Sequence, residues 1–472
     1  MINLFQRWTS WADLIIRPDK CFAYGASKRN GLYQQIKPSF SVNGIPIPTV
    51  EIGEPMKYLG HNFSFSSDSE LGKEALLNET QHCMEKADKL PITPTLKCHA
   101  LNLLIRSNLS FMLSHSTVCI TWIKENLDTM ITGRVRRWLD LPPCATAHFI
   151  PLPSKLLGLD LILPSMLFER CQISTSITLS KSKDPSMLKL YSLTGSAKID
   201  VAKSKREVIE FVNKNQEQSL FEKLDALEVQ SLLFKSLRDS LSQKELESWS
   251  KHTVCLTPSV SNFARKALIR CLPTNSNLNR WGRSQTDSCP ACGSLETENH
   301  VLNNCSVSAQ QGRYTWRHDA VLKYLASNIQ SLLSATDKLY VDLPGYDSPA
   351  DLFIGIRPDI VVIHNNKASA LELTCCYERN LVGSNTYKID KHADIKTKFK
   401  LPMPIQLFTV EVTSLGFVHY IDLKKFFMSL FMHNLTDVCV RKLGEICLRC
   451  SYFIFCCRHK PWPANITDPF VA

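Results

Sequence analysis

Two acids, two lysines and a group of three cysteines with one histidine are the residues whose types and spacing could do chemistry in this chain. The acids are Asp359 and Glu372. Between them lie a β-branched run at 360–363, the pair Asn365-Asn366, and a stretch at 370–375 that alternates Leu371 and Leu373 with Glu372 and Thr374. Both runs read as strands, and asparagine tolerates the positive φ of a tight hairpin turn. With Asn365-Asn366 as the turn, His364 opposes Lys367, and counting outward brings Asp359 opposite Glu372. Directly opposed Cβ atoms lie about 4.5–5.5 Å apart, where like charges are destabilising. A divalent cation between the carboxylates turns that repulsion into binding. The pattern therefore predicts an acid pair that holds Mg2+ or Mn2+. Lys388 and Lys391 stand three apart in a polar stretch, 384–400, that lacks Pro and Gly and reads as a helix. That spacing puts both ammonium groups on one face. A lysine beside such a cation can orient an attacking water, help deprotonate it, or stabilise a pentavalent phosphate.

The cysteine group has a different purpose. Cys289, Cys292, His300 and Cys305 are spaced C-x2-C-x7-H-x4-C. Three thiolates and one imidazole make a closed tetrahedral zinc site with no open position for water, which is structural and not catalytic. Gly293 follows the first pair, where the backbone must turn tightly. Five later residues, Cys447, Cys450, Cys456, Cys457 and His459, do not have knuckle spacing and read as free, largely buried thiols beside an unrelated histidine.

Elements must position these groups. Downstream, a helix over 313–333, a strand and turn over 340–346, the hairpin, the lysine helix, a strand over 405–413 and a mostly helical 417–449 suit a small mixed sheet flanked by helices. Upstream, 20–24 and 57–63 read as half-buried strands, and 66–142 as helical, with 3.6-period apolar faces at 95–106 and 122–131. Between 166 and 285 lies a helical linker, with polar breaks at 180–185 and 203–206 and a longer helix over 216–240. Arg134, Arg136 and Arg137 close one helix, where cations suit the dipole and could equally track phosphates. Arg265, Lys266, Arg270 and Arg280 precede the cysteine group, as a solvated basic face or as phosphate contacts.

Pro358-Asp359, then Glu372, then lysine is the skeleton of the PD-(D/E)XK nuclease fold. In the usual pattern the lysine lies two residues after the second acid; Thr374 stands there, and the lysine comes from the following helix. The blocks 357–363, 371–380 and 388–392 together resemble the restriction-like endonuclease of site-specific non-LTR retrotransposons, in which the acid pair precedes a helix carrying Lys-x-x-Lys-Tyr. The resemblance implies Asp359 and Glu372 as metal ligands and Lys388 and Lys391 as catalytic lysines, with His392 where the family has tyrosine. It continues upstream. The first strands resemble the end of a reverse transcriptase palm, 156–161 the segment after its thumb, and 264–275 a linker that presents basic residues. The knuckle with Glu296-Thr297 and Val301-Leu302 matches the one preceding the endonuclease, and Trp316-Arg-His-Asp resembles the family's opening Arg-His-Asp. His318 there reads as a satisfied structural histidine before a phosphate contact. The implied boundaries are 1–65 palm remnant, 66–165 helical thumb, 166–285 helical linker, 286–310 CCHC zinc knuckle and 311–472 restriction-like endonuclease. The fold class is mainly α with α/β parts, the last of them a PD-(D/E)XK-like nuclease domain.

Composition bounds these expectations. A chain of 472 residues should hold several domains. Hydrophobic content of 44% with 21% charged residues is globular. A net charge of +11 suits a polyanionic partner. No signal-peptide core opens the chain and no apolar run reaches membrane-span length, so no membrane partner is expected. The 18 scattered cysteines suit a reducing compartment. No Asp-Asp dipeptide occurs, so polymerase activity, which needs paired metals, is not expected. The resemblance implies an enzyme that nicks target DNA for target-primed reverse transcription, with structural Zn2+ and catalytic Mg2+ or Mn2+. Its partners would be target DNA and element RNA, without a small-molecule substrate, and it would act in the nucleus after cytoplasmic synthesis. The rival expectation is a catalytically dead nucleic-acid-binding remnant. A third is a zinc-containing interaction protein without nucleic-acid affinity.

Overall fold

The computed structural model describes residues 2–58, 61–63, 69–193, 204–430 and 436–463. The chain is mainly helical with one small mixed sheet and three short hairpins. It divides into two compact units.

The first unit comprises Met1–Glu85, Leu104–Thr129 and Leu163–Ala202. Its hairpins pair Gly25–Arg29 with Leu32–Ile36, Ser41–Val42 with Ile45–Pro46, and Met56–Tyr58 with His61–Phe63. Asn30-Gly31 and Asn43-Gly44, all at positive φ, make the first two turns, as the twist of paired strands demands. The strand expected at 20–24 is displaced. Only an isolated bridge, Ala23 to Thr49, forms there, and the strand begins at Gly25 because the Asn30-Gly31 turn sets its register. Of the segment expected at 57–63, residues 59–60 lie outside the described residues. The helical stretch expected over 66–142 forms helices that include Ser69–Asp88, Pro94–His115 and Thr129–Trp138, whose residues are divided between the two units.

The second unit comprises Lys86–Leu103, Met130–Ile162 and Lys203–Ala472. The single helix expected over 216–240 is two, Lys205–Asp225 and Leu232–Ser240. The chain turns back at 226–231 because the second helix caps the first. Lys235 Nζ donates to the Asp225 carbonyl at 2.8 Å, and Arg238 pairs with the Asp225 carboxylate at 2.9 Å.

The sheet is built from β1 (Lys338–Val341), β2 (Ile360–His364), β3 (Lys367–Cys376), β4 (Ile405–Thr413) and β5 (Val418–His419), each lying beside its neighbour in sequence. All pairs are antiparallel except β3 with β4. A parallel pair needs a crossover, supplied by α2 (Leu381–Lys391) and a short turn of helix at Ile395–Lys398. The other helices are α1 (Arg313–Gln330), α3 (Ile421–Ser429) and α4 (Thr436–Cys456). The expected lysine helix over 384–400 is therefore shorter and ends at Lys391. His392 leaves the helical region and buries its ring, which stops the helix there.

Period-2 alternation gives the sheet two unlike faces. Leu371, Leu373, Phe408, Val410 and Val412 point into the main core with Val321, Leu325, Phe426, Leu443 and Ile446 of the helices. The other face changes character along its strands. Ala368, Ala370 and Ile405 join a small apolar cluster with Phe353, Ile395 and Phe399. Further along, the same face presents Glu372, Thr374, Thr409 and Glu411. α4 comes so close to the β4–β5 turn that a Cβ on Gly444 would stand 2.3 Å from the Gly416 carbonyl oxygen. Only glycine fits that crossing.

Candidate functional site

The acid pair sits on the polar part of the second face. The hairpin register pairs His364 with Lys367 and Ile360 with Leu371, so Asp359, one residue before β2, stands opposite Glu372. Asn365 and Asn366 both adopt positive φ, 49° and 56°, as the turn requires. Both acids are buried, Glu372 at 1% exposure. Asp359 Oδ2 accepts the Leu373 N–H at 2.7 Å. From α1, His318 brings Nε2 to 3.6 Å from the same oxygen, while its Nδ1 is 3.1 Å from Asp319. Burial opposes charge on His318, but hydrogen bonds to Asp319 and Asp359 outweigh it and hold the imidazolium up to about 11. Burial raises Asp359, yet the His318 contacts and the Lys388 charge leave it below the ordinary aspartate value. His318 is thus a satisfied partner of an acid, as its sequence context suggested.

Only one of the two lysines reaches the pair. Lys388 Nζ lies 2.5 Å from Glu372 Oε2, with the lysine side chain largely buried. Lys391 is exposed, and among the described residues it contacts neither acid. Helix phase explains the correction. Leu381, Asn385, Lys388 and His392 follow a 4-3-4 spacing and face the sheet, whereas Lys391 points about a quarter turn away. The second group to meet Glu372 is His392, whose Nε2 is 2.9 Å from Glu372 Oε1. The contact makes no hydrogen bond, so Glu372 Oε1 and both ring nitrogens of His392 are without hydrogen-bond partners, as is Thr374 Oγ1 on the same strand.

Four residues join this polar layer that were not expected there. Asn385 donates to Thr409 Oγ1 at 2.6 Å and to Glu411 Oε1 at 3.1 Å. Glu411 is fully buried and has His419 at 3.4 Å, a contact that raises the imidazole above its ordinary value. The signal for Glu411 was the alternation Phe-Thr-Val-Glu-Val-Thr at 408–413, a charge on a strand otherwise suited to burial. An open cleft of 810 Å³ adjoins His392 and is lined by Lys367, Ile389, Lys396, Gln406 and Met428 among others.

The cysteine group comes together. Ligand atoms of Cys289, Cys292, His300 and Cys305 all lie within 4.8 Å of one another, and no other such group of His, Cys, Asp and Glu occurs among the described residues. Cys292 Sγ is 3.3 Å from His300 Nε2 and 3.9 Å from Cys305 Sγ. Sulfurs on a tetrahedral zinc, each at about 2.3 Å from the ion, stand about 3.8 Å apart. The residues therefore fit zinc. Gly293, at φ 77°, turns the chain between the first pair and Ser294. Distant residues hold the loop. Arg317 donates to the Leu302 carbonyl and to Asn303 Oδ1, both at 2.9 Å, and His459 Nε2 lies 2.6 Å from Glu296 Oε2. His459 is thus a brace and no ligand of a second ion. Cys447 and Cys450 belong to the apolar core.

The seven cations proposed as phosphate contacts fare unequally. Arg265 is a correction. It is 1% exposed, with its guanidinium on the Leu157 carbonyl, Thr253 Oγ1 and the Trp249 ring. Burial lowers it to about 10. Its role is to join buried carbonyls, because it sits on the inward face of helix Pro258–Leu268. Arg134 pairs with Asp88, Lys266 with Asp140, and Arg270 lies 4.0 Å from Glu298. Arg136 donates to the Pro143 carbonyl at 3.5 Å. Arg137 and Arg280 are exposed. No described helix is long and apolar enough to cross a membrane.

Residues 232–311 match the family described as zinc-binding in reverse transcriptase. The chain is 23% identical over 396 residues to the retrovirus-related Pol polyprotein from a type-2 retrotransposable element of Drosophila melanogaster. That match covers 82% of this chain and 36% of the relative. The chain thus spans about a third of that protein's length and is homologous to it, consistent with the C-terminal part of a retrotransposon polyprotein.

Proposed function

We propose that this chain is a metal-dependent DNA endonuclease that nicks target DNA for the element it derives from, exposing a 3′ hydroxyl to prime reverse transcription. The observation that carries the reading is convergence at Glu372. An acid pair in hairpin register receives the ammonium of Lys388 from the next helix, beside a buried carboxylate oxygen, Glu372 Oε1, that accepts no hydrogen bond. An orphaned buried oxygen of this kind calls for a partner, and a divalent cation held by Asp359 and Glu372 would supply one. Bound there, Mg2+ or Mn2+ would contribute Lewis-acid stabilisation of charge on the scissile phosphate. Lys388 then orients a water molecule and offsets negative charge in the transition state. Lys391, on the exposed side of α2, meets the incoming backbone.

The zinc knuckle braces the linker against this domain and contacts nucleic acid near the nuclease face. Arg137 and Arg280, the exposed members of the seven, suit the phosphates of DNA or element RNA. Lys367 and Lys396 line the cleft beside His392 and suit the strand that enters it. Chromosomal DNA as the target puts the action in the nucleus. Polymerisation is not part of this activity. The test is nicking of supercoiled plasmid with Mg2+, Mn2+ or EDTA. Cation-dependent nicking that Asp359→Ala abolishes, with DNA binding in EDTA retained, supports the proposal. DNA binding without nicking under any cation points to the dead remnant, for which the exposed Lys391 is the structural argument.

A further inference from the structure

Arg317, buried on α1, carries a charge that no carboxylate answers. It is 1% exposed, and its N–H groups go to the Leu302 carbonyl at 2.9 Å, Ser451 Oγ at 3.0 Å and Asn303 Oδ1 at 2.9 Å, all neutral. Among the described residues no acid lies within ion-pair distance of it, and its Nε has no hydrogen-bond partner. A buried cation without a counter-charge is costly. The groups its charge meets first are three sulfurs, those of Cys447, Cys375 and Cys450. Two of these touch each other: Cys447 Sγ donates to Cys375 Sγ at 3.9 Å. Cys447 is fully buried on α4, whereas Cys375, near the end of β3, is partly exposed. An S–H aimed at a neighbouring sulfur favours the thiolate on the acceptor. That contact first, then the Arg317 and His318 charges, hold the Cys375 thiol below its ordinary value against burial, while burial and the same contact push Cys447 up. One sulfur is the anion that Arg317 needs, and the other keeps the proton.

We propose that Cys375 is a peroxide-reactive thiolate and Cys447 its resolving thiol, so that a hydroperoxide converts the pair to a disulfide joining β3 to α4. The inference goes beyond the nuclease reading and does not depend on it. The Cys375 thiolate attacks one oxygen of hydrogen peroxide. The O–O bond breaks, the sulfur becomes a sulfenic acid, and the departing hydroxide takes a proton from solvent to leave as water. Cys447 Sγ then attacks the Cys375 sulfur, the S–O bond breaks, and the expelled hydroxide leaves as water with the Cys447 proton. Two thiols are oxidised, and one peroxide is reduced to two waters. The sulfurs start in contact, and rotation of the two side chains must close them to about 2.05 Å. Partial exposure of Cys375 admits the oxidant, and burial of Cys447 keeps it for the second step. In a reducing compartment such a bond is transient and suits redox sensing. It would form three residues beyond Glu372 on the same strand. It would also remove the anion facing Arg317, which holds Leu302 and Asn303 of the zinc knuckle.

The test uses the full-length, zinc-loaded protein and hydrogen peroxide in near-stoichiometric amount. Remaining thiols are alkylated in denaturant, and the digest is read by mass spectrometry while a zinc indicator follows the knuckle. The expected result in the wild type is a cross-linked peptide pair carrying Cys375 and Cys447, lighter by two hydrogens than the separate peptides. It should disappear on treatment with dithiothreitol and form before zinc is released. In Cys447→Ala the product should stop at a Cys375 sulfenic acid, trapped by dimedone. In Cys375→Ser the cross-link and the trapped product should both be lost. Circular dichroism identifies any variant that fails to fold, and the wild-type cross-link stands without them. Cys375 recovered fully alkylated while the knuckle or the exposed Cys119, Cys144 and Cys255 are oxidised overturns the proposal. A Cys375 sulfenic acid that accumulates in the wild type without bonding to Cys447 overturns the resolving role. Neither result bears on nicking, which is measured separately.

Discussion

Replacing Lys388 by methionine separates what this residue does for the fold from what it does for chemistry. The ammonium lies 2.5 Å from a carboxylate that is 1% exposed, and its own side chain is 17% exposed. Removing one partner of a buried pair leaves an uncompensated charge and costs about 3–5 kcal/mol. In a unit of about 320 residues, with an unfolding entropy of about 2.1 cal/mol/K per residue, each kcal/mol moves the melting temperature by about 1.5 °C, so the transition of the sheet-bearing unit should fall by about 4–8 °C in Lys388→Met. The double variant Lys388→Met, Glu372→Gln removes both charges and should recover most of that loss. A cation offers a second route. At a hundredfold excess over its dissociation constant, Mn2+ stabilises the folded state by about 2.7 kcal/mol. Added Mn2+ should therefore raise the melting temperature of Lys388→Met while its nicking rate stays low. Differential scanning calorimetry of wild type, both single variants and the double variant, with and without Mn2+, measures this. A Lys388→Met transition that does not move refutes the closed Lys388–Glu372 pair in solution. Full nicking by the rescued variant refutes the chemical role.

Three further outcomes are expected. The protein should purify with about one zinc per chain, and Cys292→Ser should lose it and loosen the knuckle; zinc content near zero, or unchanged in the variant, removes the site. DNA affinity should fall steeply with salt, and Arg137→Gln with Arg280→Gln should flatten that slope; Arg265→Gln should lower stability instead, by stranding the buried groups it joins, and an unchanged melting temperature there contradicts its burial. Glu445 is held down to about 2 by His252 first, against burial, and then by Lys442 and Arg449. A lowered acid contributes stability above its unfolded value near 4.5 that is lost as pH falls toward 2. The stability gap between wild type and Glu445→Gln should be full at pH 7 and close over that window, as urea titrations at several pH values will show.

Local features, register among them, were legible in the sequence, and tertiary ones were not. The hairpin was legible because Asn365-Asn366 admits one turn and period-2 alternation forbids a slip by one residue. The knuckle was legible because its four ligands lie within seventeen residues, Cys289 to Cys305. By contrast, the residues that hold the knuckle, Arg317 and His459, are far away in sequence and carry no mark of that role. Helix phase was the sharpest loss. Spacings of three and four both keep residues on one face, so Lys388 and Lys391 read as a pair, and His392, four after Lys388, was passed over although the sheet brings it and not Lys391 to Glu372. The same holds for Arg265, since a basic residue on a short amphipathic helix reads as surface and only the packing of Trp249 and Leu157 around it shows otherwise.

That loss has a physical consequence for how such sites should be read. An acid pair on a hairpin is specified by backbone hydrogen bonds, which a sequence pattern encodes directly. The groups that act on the pair arrive from a crossover helix whose rotation depends on how its inward face packs. Here that face is Leu381, Asn385, Lys388 and His392, and three of the four are polar. Their partners, Glu372, Thr409 and Glu411, lie on neighbouring strands β3 and β4, with Thr409 paired in register to Glu372. A polar helix face can only be buried over a polar sheet face. The carboxylate at 411 was therefore as informative about which way α2 turns as the lysines themselves. Matching the polar positions of the helix to those of both parallel strands would have selected Lys388 and His392 over Lys391.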